Sequence, residues 1–120
     1  MEDRIRFIEH AGKQILLVDL SQCNSKELMI LLSQIQATIA EHPRNSLRIL
    51  GDFTGSSVDR TVATRIKEVL VKDRPFVLRS AWVGTADLPK AFYENFKSFS
   101  QRDLPLFDTR EQALEHLAKD

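Results

Sequence analysis

Ile15-Leu16-Leu17-Val18-Asp19-Leu20-Ser21-Gln22-Cys23-Asn24-Ser25-Lys26-Glu27, residues 15–27, decides the fold. Its first half is almost continuous hydrophobe, which reads as a strand covered on both faces. Its second half sets Asn24 three residues ahead of Glu27, the spacing of a capping box. A helix follows to about His42, with Leu28, Leu31, Leu32, Ile35 and Ile39 on one stripe. Pro43 stops it. A buried strand feeding directly into an amphipathic helix is the opening of a βαβ unit.

Upstream, Arg4-Ile5-Arg6-Phe7-Ile8 alternates polar and apolar residues, and Ala11-Gly12-Lys13 supplies a turn, so a hairpin is expected. Downstream, the unit repeats. Leu47–Leu50 is a short strand ending at Gly51-Asp52. Ser56 or Ser57 is placed to cap a second helix with Val62, Ile66, Val69 and Leu70 inward, ending at Asp73-Arg74-Pro75. Val77–Val83 reads as a third buried strand, with Trp82 its largest side chain, before the loop Gly84-Thr85-Ala86-Asp87. Pro89 suits the first turn of a third helix carrying Phe92, Phe96 and Phe99. Leu104-Pro105-Leu106-Phe107 reads as an edge strand, because Pro105 would break a central ladder. Thr109 with Gln112 starts a last helix with Leu114 and Leu117 inward. The expected order is β-β-α-β-α-β-α-β-α: an α/β domain whose sheet of about five strands is mostly parallel, flanked by four helices, with the first strand antiparallel.

A chain of 120 residues is one domain. Its 17 basic and 17 acidic residues cancel, which argues against a nucleic-acid binder. One cysteine excludes an internal disulfide and a multi-thiolate metal site. The longest apolar runs are far short of a membrane span. The polar start Met1-Glu2-Asp3-Arg4 has no signal-peptide core, so a cytoplasmic location is expected.

In open α/β sheets, ligands bind at the carboxyl ends of the parallel strands. Here those ends carry Asp19, then Asp52, Thr54, Ser56 and Ser57, then Thr85. Asp19 and Asp52 invite a phosphate- or metal-dependent enzyme. The adjacent acidic pair that holds magnesium in receiver domains is missing, and caps and turns use the same residue types. Residues 51–57, GDFTGSS, lack the Gly-Lys-Ser/Thr ending of a P-loop. His10, His42 and His116 are far apart, and Cys23 has no evident His base. No catalytic residue, metal site or cofactor is therefore assigned. The richest apolar feature is the aromatic group Trp82, Phe92, Tyr93, Phe96 and Phe99. Such stripes are usually core, but this one is also suited to line a ligand pocket. Ile5, Phe7 and Ile8 on the first strand, together with zero net charge, lead to the expectation of a homodimer.

Four segments carry a family resemblance: RFIEHAGKQILLVDLSQCNSKEL at 6–28, LRILGDFTG at 47–55, AWVGTADLPKAFYENFKSFSQRD at 81–103 and PLFDTREQALEHL at 105–117. Together they resemble the SpoIIAA-like family of small bacterial proteins, grouped by fold with STAS domains and CRAL-TRIO lipid-transfer proteins. The resemblance implies a mixed-sheet α/β domain and a non-enzymatic binding module for a lipid or other apolar ligand. Its alternative is a STAS-type protein-interaction module. In anti-sigma-factor antagonists, a phosphorylated Ser follows a strand and an Asp. Here Asp59-Arg60-Thr61-Val62 stands where Asp-Ser-Ser-Gly is found, which leaves Thr61 as the hydroxyl nearest that position.

Overall fold

The computed structural model describes residues 4–119, so the polar start at Met1-Glu2-Asp3 lies outside the described residues. The hairpin forms from β1 (Ile5–His10) and β2 (Lys13–Asp19). Its turn is the pair Ala11-Gly12, both at positive φ (51° and 80°), between the partners His10 and Lys13. That two-residue geometry matches the twist of the strands it joins. Then follow α1 (Ser25–Ile39), β3 (Leu47–Asp52), α2 (Arg60–Asp73), a 3₁₀ turn (Arg74–Phe76), β4 (Val77–Val83), α3 (Lys90–Ser100), β5 (Leu106–Phe107) and α4 (Arg110–Leu117). The sheet runs β1-β2-β3-β4-β5, antiparallel only between β1 and β2.

The period of two along β2 explains its unbroken apolar run. Leu16 and Val18 face α1 and α2, in a core completed by Phe96 of α3. Ile15 and Leu17 face α4, with Leu50, Ala81, Val83, Ala113 and Leu117. Three helices therefore cover one face and α4 covers the other. No helix among the described residues is long and apolar enough to cross a membrane.

Asn24 caps α1 with the reciprocal box: its Oδ1 accepts from Glu27 N–H at 2.9 Å, and Glu27 Oε1 accepts from Asn24 N–H at 3.0 Å. The helix ends at Ile39 rather than His42, because the Glu41 and His42 amides reach back only three residues and tighten the chain into a turn. α2 is capped by neither Ser56 nor Ser57. Asp59 does it, accepting from Val62 N–H at 2.8 Å. β4 is buried only from Ser80 onward; Leu78 is 49% exposed. The cause is β5, which pairs only with Trp82 and Val83 and leaves the first part of β4 as an open edge.

Candidate functional site

The strand-end residues do converge. β2 and β3 lie parallel with Asp19 opposite Asp52, and Val83 is opposite Asp52 on the other side. Gly84 sits at φ +70° with its Cα so close to Thr54 that a Cβ would fall 2.4 Å from the Thr54 nitrogen, so the β4 loop can reach the β3 loop only with glycine there.

Each carboxylate is already committed. Asp52 Oδ1 accepts from the Thr54 amide (2.9 Å) and hydroxyl (2.6 Å). Its Oδ2 accepts from Arg110 Nε at 2.8 Å, and the second guanidinium nitrogen is 2.7 Å away. Asp19 Oδ1 accepts from the Ser21 amide (3.0 Å) and hydroxyl (2.5 Å), with Arg4 and Arg110 both at 3.7 Å. Partial burial raises the proton affinity of Asp19, but the Ser21 hydrogen bonds and the Arg110 and Arg4 charges outweigh it and hold the carboxyl below its usual range. Arg110, from the first turn of α4, thus bridges two strand ends. The capping motif at Thr109 announced the helix start, but nothing local said that its next residue would reach Asp52, 58 positions earlier.

The hydroxyls brace loops. Ser56 is buried, accepts from Cys23 N–H at 2.9 Å and donates to Leu20 O, so it ties the β3–α2 loop to the β2–α1 loop. Burial pushes the Cys23 thiol up, away from nucleophilic use. Ser57 is exposed, and Thr85 takes part through its carbonyl, which accepts from Leu88 N–H. Thr61 is exposed on the first turn of α2. Among the described residues, no three His, Cys, Asp or Glu side chains gather to hold a metal ion. His10 pairs with Glu115 at 3.3 Å, His42 contacts the Thr38 carbonyl at 3.0 Å, and His116 lies against Phe107.

The five aromatics are not gathered around one cavity. Trp82 is buried edge-on to Phe53 (4.8 Å) and Phe96 (6.0 Å). It walls an apolar slot of about 60 Å³ between the sheet and α1–α2, with Leu32, Ile35, Ile66 and Val69. Asp73, Ser80 and Arg102 also line this slot and supply its polar groups. Phe92 and Phe96 instead line an open hollow of about 280 Å³ between α2 and α3, with Arg60 and Lys67. Phe96 is fully buried, so it faces the hollow on one side and meets Trp82, a wall of the slot, on the other. Tyr93 lines a separate hollow with Leu88 and Leu106, and its hydroxyl donates to Leu104 O at 2.5 Å. Phe99 is 59% exposed beneath the Lys67 ammonium, 4.9 Å from the ring centroid.

No family model matches the chain, and no curated protein sequence does. Among solved structures, it is similar to an uncharacterized protein of the DUF3478 family from Shewanella loihica PV-4, described as having a SpoIIAA-like fold. The TM-score is 0.71 at 15% identity, over 95% of this chain and 92% of that one. The chain therefore has the SpoIIAA-like fold.

Proposed function

We propose that this chain is a non-enzymatic binding module for an apolar ligand with one acidic end, admitted through the α2–α3 hollow. The observation that carries this reading is the Phe96–Trp82 contact, which stands between an outer hollow and an inner apolar slot. The slot as it stands, about 60 Å³, is too small for a whole ligand, whose pockets run to several hundred Å³. Binding therefore requires Phe96 to swing and α2 and α3 to part. Such motion involves a helix end with few buried anchors: α3 buries only Phe96 and Ser100. Arg60 and Lys67 at the hollow supply cations for the acidic end. The commitment of Asp19 and Asp52 to arginines and turn hydroxyls speaks for a non-enzymatic role and against an enzyme built on those two carboxylates.

A fluorescent fatty-acid probe tests the reading. The wild type should bind it, and Phe92→Ala should weaken binding about tenfold, the loss expected when most of a ring's contact with a ligand goes, while leaving the melting temperature nearly unchanged. No binding by the wild type would overturn the proposal. The reading includes a homodimer along β1, supported by that strand's place at the sheet edge and by Phe7, 42% exposed. The same sample should then sediment as a dimer at tens of micromolar, where standard interfaces are populated; a monomer removes that part.

A further inference from the structure

Pro105 ends the β4–β5 ladder. Its carbonyl accepts from the Trp82 N–H at 2.9 Å, but it has no N–H to return. The residues before it leave the sheet, with Leu104 fully buried and its carbonyl held by Tyr93. Successive peptide groups of a strand point to opposite edges. Trp82 uses the β5 side, so Ser80 turns its N–H and C=O to the same side, below the point where β5 stops. Leu78 lies further along β4, where the β3–β4 register shifts: Leu47 is opposite Val77 and Arg48 is opposite Arg79. A groove of about 490 Å³ opens there, lined by Arg74, Arg79, Arg102 and His116, with Asp103 as its acidic member.

We propose that this groove docks an extended acidic segment of a partner protein, added as a strand beside Val77–Ser80. Four residues of β4 present an edge of about 13 Å. The C=O of Ser80, turned to this side, takes an N–H donor, which a free carboxylate or phosphate lacks, so another main chain is the fitting occupant. The side chains specify its chemistry. Arg102 lies on the α1–α3 face of the sheet, where it donates to Ser80 Oγ at 2.6 Å and to Leu70 O at 3.2 Å. Arg79 lies on the α4 face, with His116. Burial and the Arg79 and Lys119 charges lower the proton affinity of His116, against the opposing charge of Asp103. Successive side chains of an added strand would meet these two faces in turn; each carries an arginine, with Asp73 near Arg102 and Asp103 near His116 as the acidic neighbours. The segment is therefore a run of consecutive Asp or Glu residues rather than an alternation of acidic and apolar ones. Trp82 and Val83, where β5 already pairs, mark the limit of the added strand.

An N-acetylated, C-amidated hexaglutamate peptide titrated into the ¹⁵N-labelled protein tests this. The Leu78 and Ser80 amides should shift, and the exchange of the amide facing a peptide carbonyl should slow about tenfold or more, as for an amide entering a ladder. The combined charge reversals Arg74→Glu and Arg79→Glu should weaken binding at least about tenfold, as loss of close charge pairs does. Neither residue lines the apolar slot, so failure here is distinct from failure of the fatty-acid reading. A variant that fails to fold leaves the wild-type amide readout decisive. A peptide N-methylated at alternate residues should bind more weakly by a similar factor. Equal binding by that peptide, or shifts without amide protection, would show an anion site and overturn strand addition. Protection of the same amides that grows with protein concentration alone would assign the edge to a second copy and overturn the acidic-partner proposal. So would an absence of any shift.

Discussion

The two ends of the parallel strands treat charge in opposite ways. At the carboxyl ends, Asp19 and Asp52 sit among turn hydroxyls, backbone amides and the guanidinium of Arg110, and Asp19 is drawn below its ordinary range. Near the amino end of β4, the buried Asp73 and the half-buried Arg102 lie beside Ser80. Burial pushes Asp73 up to about 7, against the attraction of Arg102 and Arg65, and pushes Arg102 down to about 10. One end is saturated by its own loops; the other holds charges whose desolvation exceeds what their neighbours return. The difference teaches where to look for partners. The edge that usually serves ligands in this architecture is internally satisfied, and an open strand edge with Arg74, Arg79 and Arg102 beside it lies where Pro105 cuts the sheet short.

The comparison breaks most clearly at Asp52. Asp52→Ala removes the acceptor for Thr54 and the counter-charge of Arg110, and should cost about 2–3 kcal/mol, the range for a buried hydrogen-bonded charge. Urea unfolding measures it; a loss under about 0.5 kcal/mol, the range of an uninvolved surface change, would show that the saturated end contributes little.

At the other end the sign reverses. The folded pKa of Asp73, about 7, lies above its unfolded value of 3.8, so its effect opposes folding at high pH and fades as pH falls from about 7 to about 4. Asp73→Asn should therefore stabilise the protein by about 2 kcal/mol near pH 8 and change it little near pH 4. Asp19 acts in the contrary direction: its contribution is present above about pH 4 and is lost as pH falls through its lowered folded value. Denaturation across that range separates the two, and destabilisation by Asp73→Asn at high pH would contradict the picture.

The smallest expected effect is none. Millimolar magnesium should leave the melting temperature of the wild type unchanged, since both strand-end carboxylates already have cationic partners. A rise of several degrees, lost in Asp52→Ala, would mean that the arginines yield to a metal ion.

Much of the fold is written in local pattern. The two-faced apolar run at 15–18, the box at Asn24 and Glu27 and the turn Ala11-Gly12 depend on neighbours a few residues away, so each is legible in the chain. The cap of α2 was less so. Ser56, Ser57 and Asp59 are all suitable cap residues, and only the packed loops decide that Ser56 bridges to Cys23 and Leu20 while Asp59 caps. The aromatic residues show the same limit. Helical spacing puts Phe92, Phe96 and Phe99 near one stripe, but the tilt of α3 against α2 decides that Phe96 is sealed, Phe92 lines a hollow and Phe99 meets Lys67 in the open.

The sequence by itself determined the order of elements and the antiparallel first strand, because period, capping and turn chemistry act over a few residues. It also held the sign that Pro105 belongs at an edge. Only the tertiary structure decided which edge groups that proline leaves open, that Arg110 closes over Asp52 and that Arg102 comes to lie beside the buried Asp73. Those outcomes join residues tens of positions apart. They depend on where whole helices settle on the sheet, and no local preference encodes that distance.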